Sequence, residues 1–398
     1  MDLADAVKAK RRLSGVIHEI PLEKSSRFSM LTGGNVYLKC EHRQLTGSFK
    51  VRGAYNKIAK LKESGGVQSV IASSAGNHAQ GVAFAAQKNG MRAVIVMPRS
   101  ASIAKISATE GYGAEVVLYG SCYDDAHAKA VELQRETGAV FIEPFDDDDV
   151  IAGQGTLGLE IINELQDVDA IVIPAGGGGL LAGVAKTVKS LKPSVKIIGV
   201  QAARADAVCR SFEAGRLTPL DDIFTIADGI AVKKPGALTF SIIRDYVDEM
   251  VTVTDEEIAS TIIELIERTK QIVEPAGAAA LAAVLRGKTD VGGRNVVCIL
   301  SGGNIDVGFI HKVIEKGLID RGRELRLSVL MQDAPGGLAI ISGIIGELNA
   351  NITSVRYDRA SAELHLNEVI LHITCEVGGR EHGGRLIGRL TEAGYRLF

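Results

Sequence analysis

AIVIPAGGGGLLAG, residues 170–183, contains the pattern that decides the fold of this 398-residue chain. An apolar run rich in Ile and Val ends at Ala175, four glycines follow, and apolar residues resume at Leu180. A buried strand that turns through glycines into a helix is typical of parallel sheets covered by helices. The segment therefore predicts an α/β fold, with a ligand beyond the carboxyl ends of the strands.

The same alternation of apolar runs and amphipathic segments extends from about residue 36 to 320. Further strands are predicted at VYLKC (36–40), SVIAS (69–73), RAVIVMP (92–98), AEVVLYG (114–120), KIIGVQA (196–202) and NVVCILS (295–301). Helices are predicted over 51–63, 78–90, 102–111, 122–137, 150–166, 180–191, 255–270 and 276–286. Strands and helices that alternate at this spacing indicate βαβ units.

The rhythm changes after the charged segment 315–325, which we interpret as a helix end and linker. Strands are predicted at 325–333, 351–359, 366–377 and YRLF (395–398), with helices at 335–350 and 380–394. This β-α-β-β-α-β order is that of a ferredoxin-like α+β unit. We therefore expect a catalytic region over 1–320 and a separate domain over 325–398.

Composition and charge exclude several classes of protein. The formal net charge of −3 argues against a nucleic-acid partner. No apolar run reaches the ~20 residues that span a bilayer, and the start MDLADAVKAKRRLSG lacks the apolar segment of a signal peptide. The five cysteines are dispersed without a C-x-x-C, which indicates free thiols in the cytoplasm and no zinc site.

Gly176, Gly177, Gly178 and Gly179, followed by Leu180, are candidates for binding a phosphate. Backbone N–H groups can converge there, in front of a helix N-terminus. A tight turn alone would not need four glycines. A dinucleotide site would need an acidic residue at the end of the next strand, and that position holds Gln201. A phosphomonoester is therefore favoured over NAD.

Lys50 in LTGSFKVRGA (45–54) is the candidate nucleophile. A lysine near a helix start is disfavoured as a cation, and burial lowers the pKa of its amine further. Such an amine can react with an aldehyde cofactor. The alternative is an ordinary solvated side chain. A P-loop is excluded because its spacing does not occur.

Two polar clusters follow other predicted strands. Ser74, Ala75, Gly76, Asn77 and His78 could bind a carboxylate through backbone N–H groups, although Ser74 or Asn77 could simply cap the helix, and His78 could be an ordinary helical histidine. In SGGN (301–304), Ser301 could hydrogen-bond a ring nitrogen or lie in a polar turn. Glu274, before Pro275, is interpreted as an ordinary helix cap.

In this order, GSFKVRGA (47–54), SSAGNHAQG (73–81), GGGGLLAG (176–183) and SGGN (301–304) resemble the fold-type II pyridoxal-phosphate enzymes. Within that class the chain looks like the threonine dehydratases, with serine dehydratases and serine racemases as close relatives. The resemblance extends from about residue 10 to 320. It implies two parallel-sheet lobes, the smaller over about 45–145, and a homo-oligomer, with a tetramer favoured.

The resemblance also implies a role for each matched residue. Lys50 would bond to the aldehyde carbon of pyridoxal phosphate and later act as the general base. Phe49 would pack near the cofactor ring, Asn77 would hydrogen-bond the 3-hydroxyl, and Ser301 would face the pyridine nitrogen. Gly176 to Gly179 and Leu180 would hold the phosphate, and Ser74 to His78 the substrate carboxylate. The implied reaction converts L-threonine to 2-oxobutanoate and ammonia.

Two positions differ from the serine racemases. The acidic pair that binds a divalent cation in metal-dependent racemases is replaced by Gln201 and Ala207, so no metal site is expected. The racemase serine that acts on the second face of Cα is replaced by Ala75. Both differences favour a dehydratase. Three alternatives remain: a dehydratase that prefers serine or 3-hydroxyaspartate, a serine racemase, and an amino-acid sensor whose catalytic domain is degenerate.

The C-terminal unit resembles an ACT domain in the segment DAPGGL (333–338). Asp333, Pro335, Gly336, Gly337 and Leu338 are the candidate regulatory residues, because a helix N-terminus follows this loop. The resemblance implies isoleucine as an effector, in some members opposed by valine. A unit that only mediates assembly is the alternative.

Overall fold

The computed structural model describes residues 1–360 and 364–398. Its contacts divide the chain into two compact units, Met1–Asp306 and Val307–Phe398. The division therefore falls earlier than the linker expected at 315–325, because the helix over Val307–Asp320 groups with the second unit. That helix contacts the strand that follows it, and Glu315 pairs there with Arg326 at 2.5 Å.

The first unit is built from parallel strands and covering helices. Its strands are β1 (Leu22–Lys24), β2 (Asn35–Lys39), β3 (Ser69–Ser73), β4 (Arg92–Met97), β5 (Glu115–Leu118), β6 (Val140–Phe141), β7 (Ala170–Pro174), β8 (Lys196–Ala202), β9 (Glu249–Val253) and β10 (Asn295–Ile299). Its helices are α1 (Leu3–Leu13), α2 (Ser26–Thr32), α3 (Lys50–Ser64), α4 (Asn77–Lys88), α5 (Ile103–Gly111), α6 (Tyr123–Thr137), α7 (Asp148–Glu164), α8 (Gly179–Leu191), α9 (Ala207–Ala214), α10 (Ala237–Tyr246), α11 (Asp255–Thr269) and α12 (Pro275–Leu285).

These strands form two sheets, each with its own apolar core. The larger sheet has the order β1-β2-β10-β7-β8-β9, and β1 is the strand that runs antiparallel to its neighbour. The smaller sheet, β5-β4-β3-β6, is parallel. The central strand β7 is buried at every residue, as its apolar sequence predicts. The predicted α/β class with two parallel-sheet lobes is confirmed.

Sheet order brings the candidate segments together. Because β2, β10 and β7 are neighbours, the segments that contain Lys50, Ser301 and the glycines follow adjacent strands of one sheet. The segment with Asn77 follows β3, in the interior of the smaller sheet. The carboxyl ends of parallel strands meet at one edge, which is where ligands bind in such folds.

Several elements escaped the sequence analysis because their patterns are weak. Strand β1 has the sequence LEK and is partly exposed, and β6 has only two residues. Strand β9, EMVTV, is a half-buried edge strand. The helices α1, α2, α9 and α10 were also not predicted, and the helix over Val307–Asp320 was predicted only at its end.

The second unit is an antiparallel sheet with helices. After α13 (Val307–Asp320) come β11 (Glu324–Gln332), α14 (Gly337–Glu347), β12 (Asn351–Asp358), β13 (Glu368–Glu376), α15 (Arg380–Glu392) and β14 (Arg396–Leu397). The sheet order is β12-β13-β11-β14, with Val329, Leu371 and Leu386 in its core. The β-α-β-β-α-β prediction is confirmed. Within the described parts of the chain, no helix could cross a membrane.

Candidate active site

A cavity of about 690 Å³ lies in the first unit, within the usual size range of small-molecule sites. Its walls come from the segments that follow β2, β3, β7 and β10. The lining contains every catalytic, cofactor and substrate candidate: Phe49, Lys50, Ser74, Ala75, Gly76, Asn77, His78, Gly176, Gly177, Gly178, Gly179, Leu180 and Ser301. Segments that are far apart in the sequence therefore share one site.

Lys50 is the first residue of α3, at the positive end of the helix dipole. Its Nζ donates to the carbonyl of Pro144 at 2.8 Å and lies 5.4 Å from the centre of the Phe49 ring. Burial lowers the pKa of the Lys50 amine to about 8, and the nearby Glu274 carboxylate opposes this shift. About one amine in ten is therefore neutral, and nucleophilic, at pH 7.

The start of α3 is fixed by the fully buried guanidinium of Arg52. Arg52 donates two hydrogen bonds to Glu41, both at 2.8 Å, and others to Glu160 at 2.5 Å and Thr156 at 3.0 Å. Bidentate pairing of this kind fixes geometry as well as charge. Because Arg52 is only two residues after Lys50, this rigid ionic cluster also fixes the position of the Lys50 backbone.

The glycines at the start of α8 leave no room for side chains. A Cβ on Gly177 would lie 2.3 Å from the Phe145 ring, and a Cβ on Gly176 would lie 3.1 Å from Ile230 Cα. Gly178 has φ +99°, a conformation that L side chains rarely adopt. Helix α8 begins without a side-chain cap, so its first N–H groups are available to an anion.

Helix α4 also begins without a side-chain cap. Its N-cap is Gly76, and the Ser74 hydroxyl accepts from the Gly76 N–H at 3.2 Å, so the interpretation of Ser74 or Asn77 as the cap is wrong. His78 Nε2 lies 2.9 Å from the Ile142 carbonyl. Burial, reinforced by the Lys50 charge, lowers the pKa of His78 to about 3. The histidine is neutral and bonds to the backbone, so a carboxylate here would meet N–H groups.

The Asn77 side chain is held at both ends. Its Nδ2 donates to Glu274 Oε1 at 2.7 Å, and its Oδ1 accepts from Asn304 Nδ2 at 2.7 Å. Glu274 occupies the N-cap position of α12, before Pro275, as expected, but its side chain makes no cap hydrogen bond and bonds to Asn77 instead. Burial, with help from the Asp228 charge, raises the pKa of Glu274 to about 7, although the Asn77 hydrogen bond opposes the shift.

Ser301 lies beside the start of α3. Its carbonyl accepts from the Phe49 N–H at 3.1 Å, and an isolated bridge joins Ser48 to Gly302. These main-chain contacts join the segments that follow β10 and β2, which places the Ser301 hydroxyl in the same cavity as Lys50.

Several lining residues were missed by sequence reasoning, among them Phe145, Asn304, Lys105 and Asp228. Lys105 on α5 pairs with Asp228 at 2.9 Å, and the Asp228 side chain is 66% exposed. This ion pair is therefore part of the cavity lining, and its Asp228 side is exposed to solvent. Of these four residues, Asn304 is the one that lies in a motif quoted above, SGGN, so its sequence context could have pointed to the site.

Gln201 stands at a position that binds metal in the racemases, and here both ends of its side-chain amide bond to the backbone. Its Nε2 donates to the Ala175 carbonyl at 3.1 Å, and its Oε1 accepts from the Cys209 N–H at 2.9 Å. The amide therefore joins the end of β7 to α9.

The regulatory candidates lie in the second unit, where a cavity of about 440 Å³ adjoins the loop before α14. Pro335 and Gly337 line this cavity, together with Tyr395 and Arg396. Asp333, Gly336 and Leu338 are not among the lining residues. Asp333 instead accepts from Arg359 at 2.7 Å, and Gly336 has φ +89° as the N-cap of α14.

A buried lysine, a glycine cradle at a helix N-terminus and a serine hydroxyl in one cavity define a class of enzyme. The chain belongs to the family described as "Pyridoxal-phosphate dependent enzyme", which matches residues 13–302. The site fits the cofactor: the Lys50 amine can bond to an aldehyde, and the cradle, which any Cβ would fill, can hold a phosphate. Pyridoxal phosphate is the cofactor of this family.

The most informative relatives are threonine-degrading enzymes. The chain is 47% identical over 395 residues to the L-threonine ammonia-lyase of Thermotoga maritima, covering 99% of this chain and 98% of that protein. It is 44% identical over 318 residues to the L-threonine dehydratase catabolic TdcB of Escherichia coli, 79% of this chain and 96% of that protein. A threonine deaminase structure from Solanum lycopersicum is similar with TM-score 0.75 and 41% identity, over 79% of this chain and 86% of that one.

Proposed function

We propose that this chain is an L-threonine ammonia-lyase that converts L-threonine to 2-oxobutanoate and ammonia. The observation that carries the proposal is the buried Lys50 amine in one cavity with the glycine cradle and Ser301. The near full-length similarity to an L-threonine ammonia-lyase supports the choice of substrate. The reaction balances, since water lost from the β-carbon is regained when the imine product is hydrolysed.

Pyridoxal phosphate, when bound, supplies the electron sink that makes the Cα–H of an amino acid acidic. Lys50 is the base for that proton, because the lowered pKa of its amine keeps part of the population neutral. The uncapped start of α4 offers N–H groups to the substrate carboxylate. The glycine cradle anchors the phosphate and so fixes the reacting centre relative to Lys50.

The experiment is release of 2-oxo acid by purified protein given L-threonine, L-serine or 3-hydroxyaspartate. We expect the highest kcat/KM with L-threonine and measurable turnover of L-serine. Equal or better turnover of another substrate would reject the threonine assignment. Ala75, at the racemase serine position, supports elimination over racemisation, which chiral analysis of recovered serine checks.

Lys50→Ala is expected to abolish turnover while the protein stays folded, because Lys50 is the proposed base for the Cα proton. Lys60→Ala is the matched control, since Lys60 lies on the same helix and pairs with Asp149 at the surface. We expect the control to retain wild-type rates. Activity of Lys50→Ala within tenfold of wild type would refute the role of Lys50, and a colourless protein without cofactor would favour a sensor.

The second unit is proposed to bind an amino-acid effector, namely isoleucine, with valine as its antagonist. Support comes from the cavity beside Pro335 and Gly337, next to the N-terminus of α14. Titration of isoleucine and valine against the steady-state rate tests this, and no response to either amino acid would favour a role in assembly alone.

The oligomeric state and the cellular compartment are proposed from the resemblance and from general features of the surface and the cysteines. A homotetramer follows from the resemblance, and exposed apolar side chains such as Met30 (66%) and Leu31 (50%) support a protein–protein interface. Sedimentation velocity measures the assembly state. The cysteines are all free, which supports a reducing cytoplasm.

A further inference from the structure

The orientation of the Asn77 carboxamide is determined by a chain of hydrogen bonds with a defined direction. The Thr46 carbonyl, which can only accept, receives a bond from Asn304 Nδ2 at 2.8 Å. The second N–H of that same nitrogen donates to Asn77 Oδ1 at 2.7 Å. The oxygen of the Asn77 amide is therefore the atom that faces Asn304.

The other end of the chain is the Glu274 carboxylate. An ionised carboxylate only accepts, so the atom of Asn77 that faces Glu274 must be the NH₂ nitrogen, at 2.7 Å. Asn77 Nδ2 carries two N–H groups and Glu274 uses one. Within the described residues no other acceptor takes the second, and Asn77 lines the cavity with Lys50 and Ser301.

Glu274 itself is held in place closely. Its N–H donates to the Gly302 carbonyl at 3.0 Å, and the Asn304 N–H donates to its carboxylate. A Cβ on Gly302 would lie 2.2 Å from Glu274 Oε1 and 3.0 Å from Asn77 Nδ2. The glycine therefore permits the close approach of the carboxylate to Asn77.

We infer that Glu274 is a positioning residue that fixes the Asn77 amide with an N–H directed to an oxygen acceptor of the bound cofactor. The inference rests on one part of the proposed function, which is that pyridoxal phosphate binds in this cavity. It does not depend on the identity of the substrate. Without the Glu274 acceptor one of the two hydrogen bonds that hold the Asn77 amide is lost, so its second N–H is less firmly directed to the ligand.

Three charged groups face Glu274. Lys50 on α3 and Lys105 on α5 favour its ionised form, and Asp228, in the loop between α9 and α10, disfavours it. Protonation of Glu274 would weaken the hydrogen bond that its carboxylate accepts from Asn77 Nδ2, because a charged acceptor binds an N–H more strongly than a neutral one. The amide orientation is therefore expected to be most strongly fixed above about pH 7.

The test uses the absorption band and the dissociation constant of bound pyridoxal phosphate, with no amino-acid substrate present. Glu274→Ala is expected to shift the band and to weaken cofactor binding about tenfold, the worth of one hydrogen bond of about 1.4 kcal/mol. Glu274→Gln can still accept from Asn77 and is expected to restore both readouts. In the Asn77→Ala background, Glu274→Ala is expected to change neither readout further.

Asn56→Ala is the matched control, because this buried amide donates to the Asp149 carbonyl at 2.7 Å and lies outside the cavity lining. Its spectrum is expected to match wild type. A wild-type spectrum in folded Glu274→Ala, or equal shifts for the Gln and Ala variants, overturns the inference.

If Glu274→Ala does not fold, Asn304→Ala gives a second test of the same chain. It removes the donor at Asn77 Oδ1 and is expected to shift the band in the same direction. An unshifted band in folded Asn304→Ala overturns the inference. Cofactor binding without threonine turnover would reject the proposed substrate and leave this inference intact, whereas a wild-type chain that binds no pyridoxal phosphate overturns both.

Discussion

Individual residues of the site differ in how far the sequence can predict them. Lys50, the glycines and Ser301 each stand in a distinctive local pattern at a strand end, so their presence in one cavity could be predicted. The function of Glu274 could not, because its partner Asn77 lies 197 positions away in the chain. An acidic residue before a proline indicates a helix cap locally, and only tertiary packing reveals another bond.

The first prediction concerns Glu274→Gln and pH. The pKa of Glu274 is about 7 in the folded chain, against 4.5 ordinarily, because the carboxyl is buried. Between these values the folded chain binds a proton that the unfolded chain does not, so wild-type stability falls as pH rises. The variant lacks this titration. The free energy of unfolding of the variant, minus that of wild type, should therefore increase from pH 5 to pH 8, by up to about 3 kcal/mol.

Chemical unfolding of both proteins at pH 5 and pH 8, without cofactor, measures this difference. The folded wild-type carboxyl is protonated at pH 5 and ionised at pH 8, whereas the variant amide is neutral at both, so the change in the difference between the two proteins is the informative quantity. Parallel pH profiles would contradict a raised pKa for Glu274.

The second prediction concerns Gly177→Ala. The added Cβ would meet the Phe145 ring at 2.3 Å, so the loop must shift and the phosphate cradle with it. We expect at least tenfold weaker binding of pyridoxal phosphate, measured by equilibrium dialysis, and partial recovery when Phe145→Ala is added. Gly111→Ala, on α5 with open space around the new methyl, is the control and should bind the cofactor as wild type does. Equal affinities for both variants would show that the cradle tolerates the shift.

At the scale of elements, helices and strands with strong periodicity were predicted within a few residues, such as α3, expected over 51–63 and found over Lys50–Ser64. Short or edge strands such as β1 and β9 were not, because their pairing depends on neighbours distant in sequence. The ionic cluster that holds α3 was also beyond prediction. Its members Glu41, Arg52 and Glu160 come from three separate segments.

The third prediction tests that cluster. Arg52→Met leaves the fully buried Glu41 carboxylate without its guanidinium partner, so we expect a loss of about 3–5 kcal/mol in the free energy of unfolding. Glu115→Gln breaks an ion pair with Arg92 in which both side chains are exposed, and should leave stability nearly unchanged. Chemical unfolding compares the two. Similar losses would mean that burial does not set the strength of these pairs.

At the scale of the whole molecule, the chain consists of two compact units with separate apolar cores. The alignment with the Escherichia coli relative extends over 318 residues, which are 96% of that protein but only 79% of this chain. About a fifth of this chain therefore lies outside the alignment with that relative. Catalysis and effector response are expected to be separable in this chain.

The fourth prediction follows from this division. A chain that ends at Asp306, the last residue of the first unit, is expected to keep L-threonine turnover within a few-fold of the full chain and to lose any response to isoleucine. Steady-state rates with and without isoleucine measure both properties. An isoleucine response that persists after truncation would place the effector site in the first unit, and loss of all turnover would show that the catalytic unit needs the second.

The ion pair between Lys105 and Asp228 joins α5, beside the smaller sheet, to a loop beside the larger one in the wall of the site. A pair this open to solvent is weak and is screened by dissolved ions within about a Debye length of 8 Å at physiological ionic strength. Dissolved salt is therefore expected to weaken this contact between two segments of the cavity wall. The ionic strength of the medium can thereby affect the cavity wall without altering any group that performs chemistry.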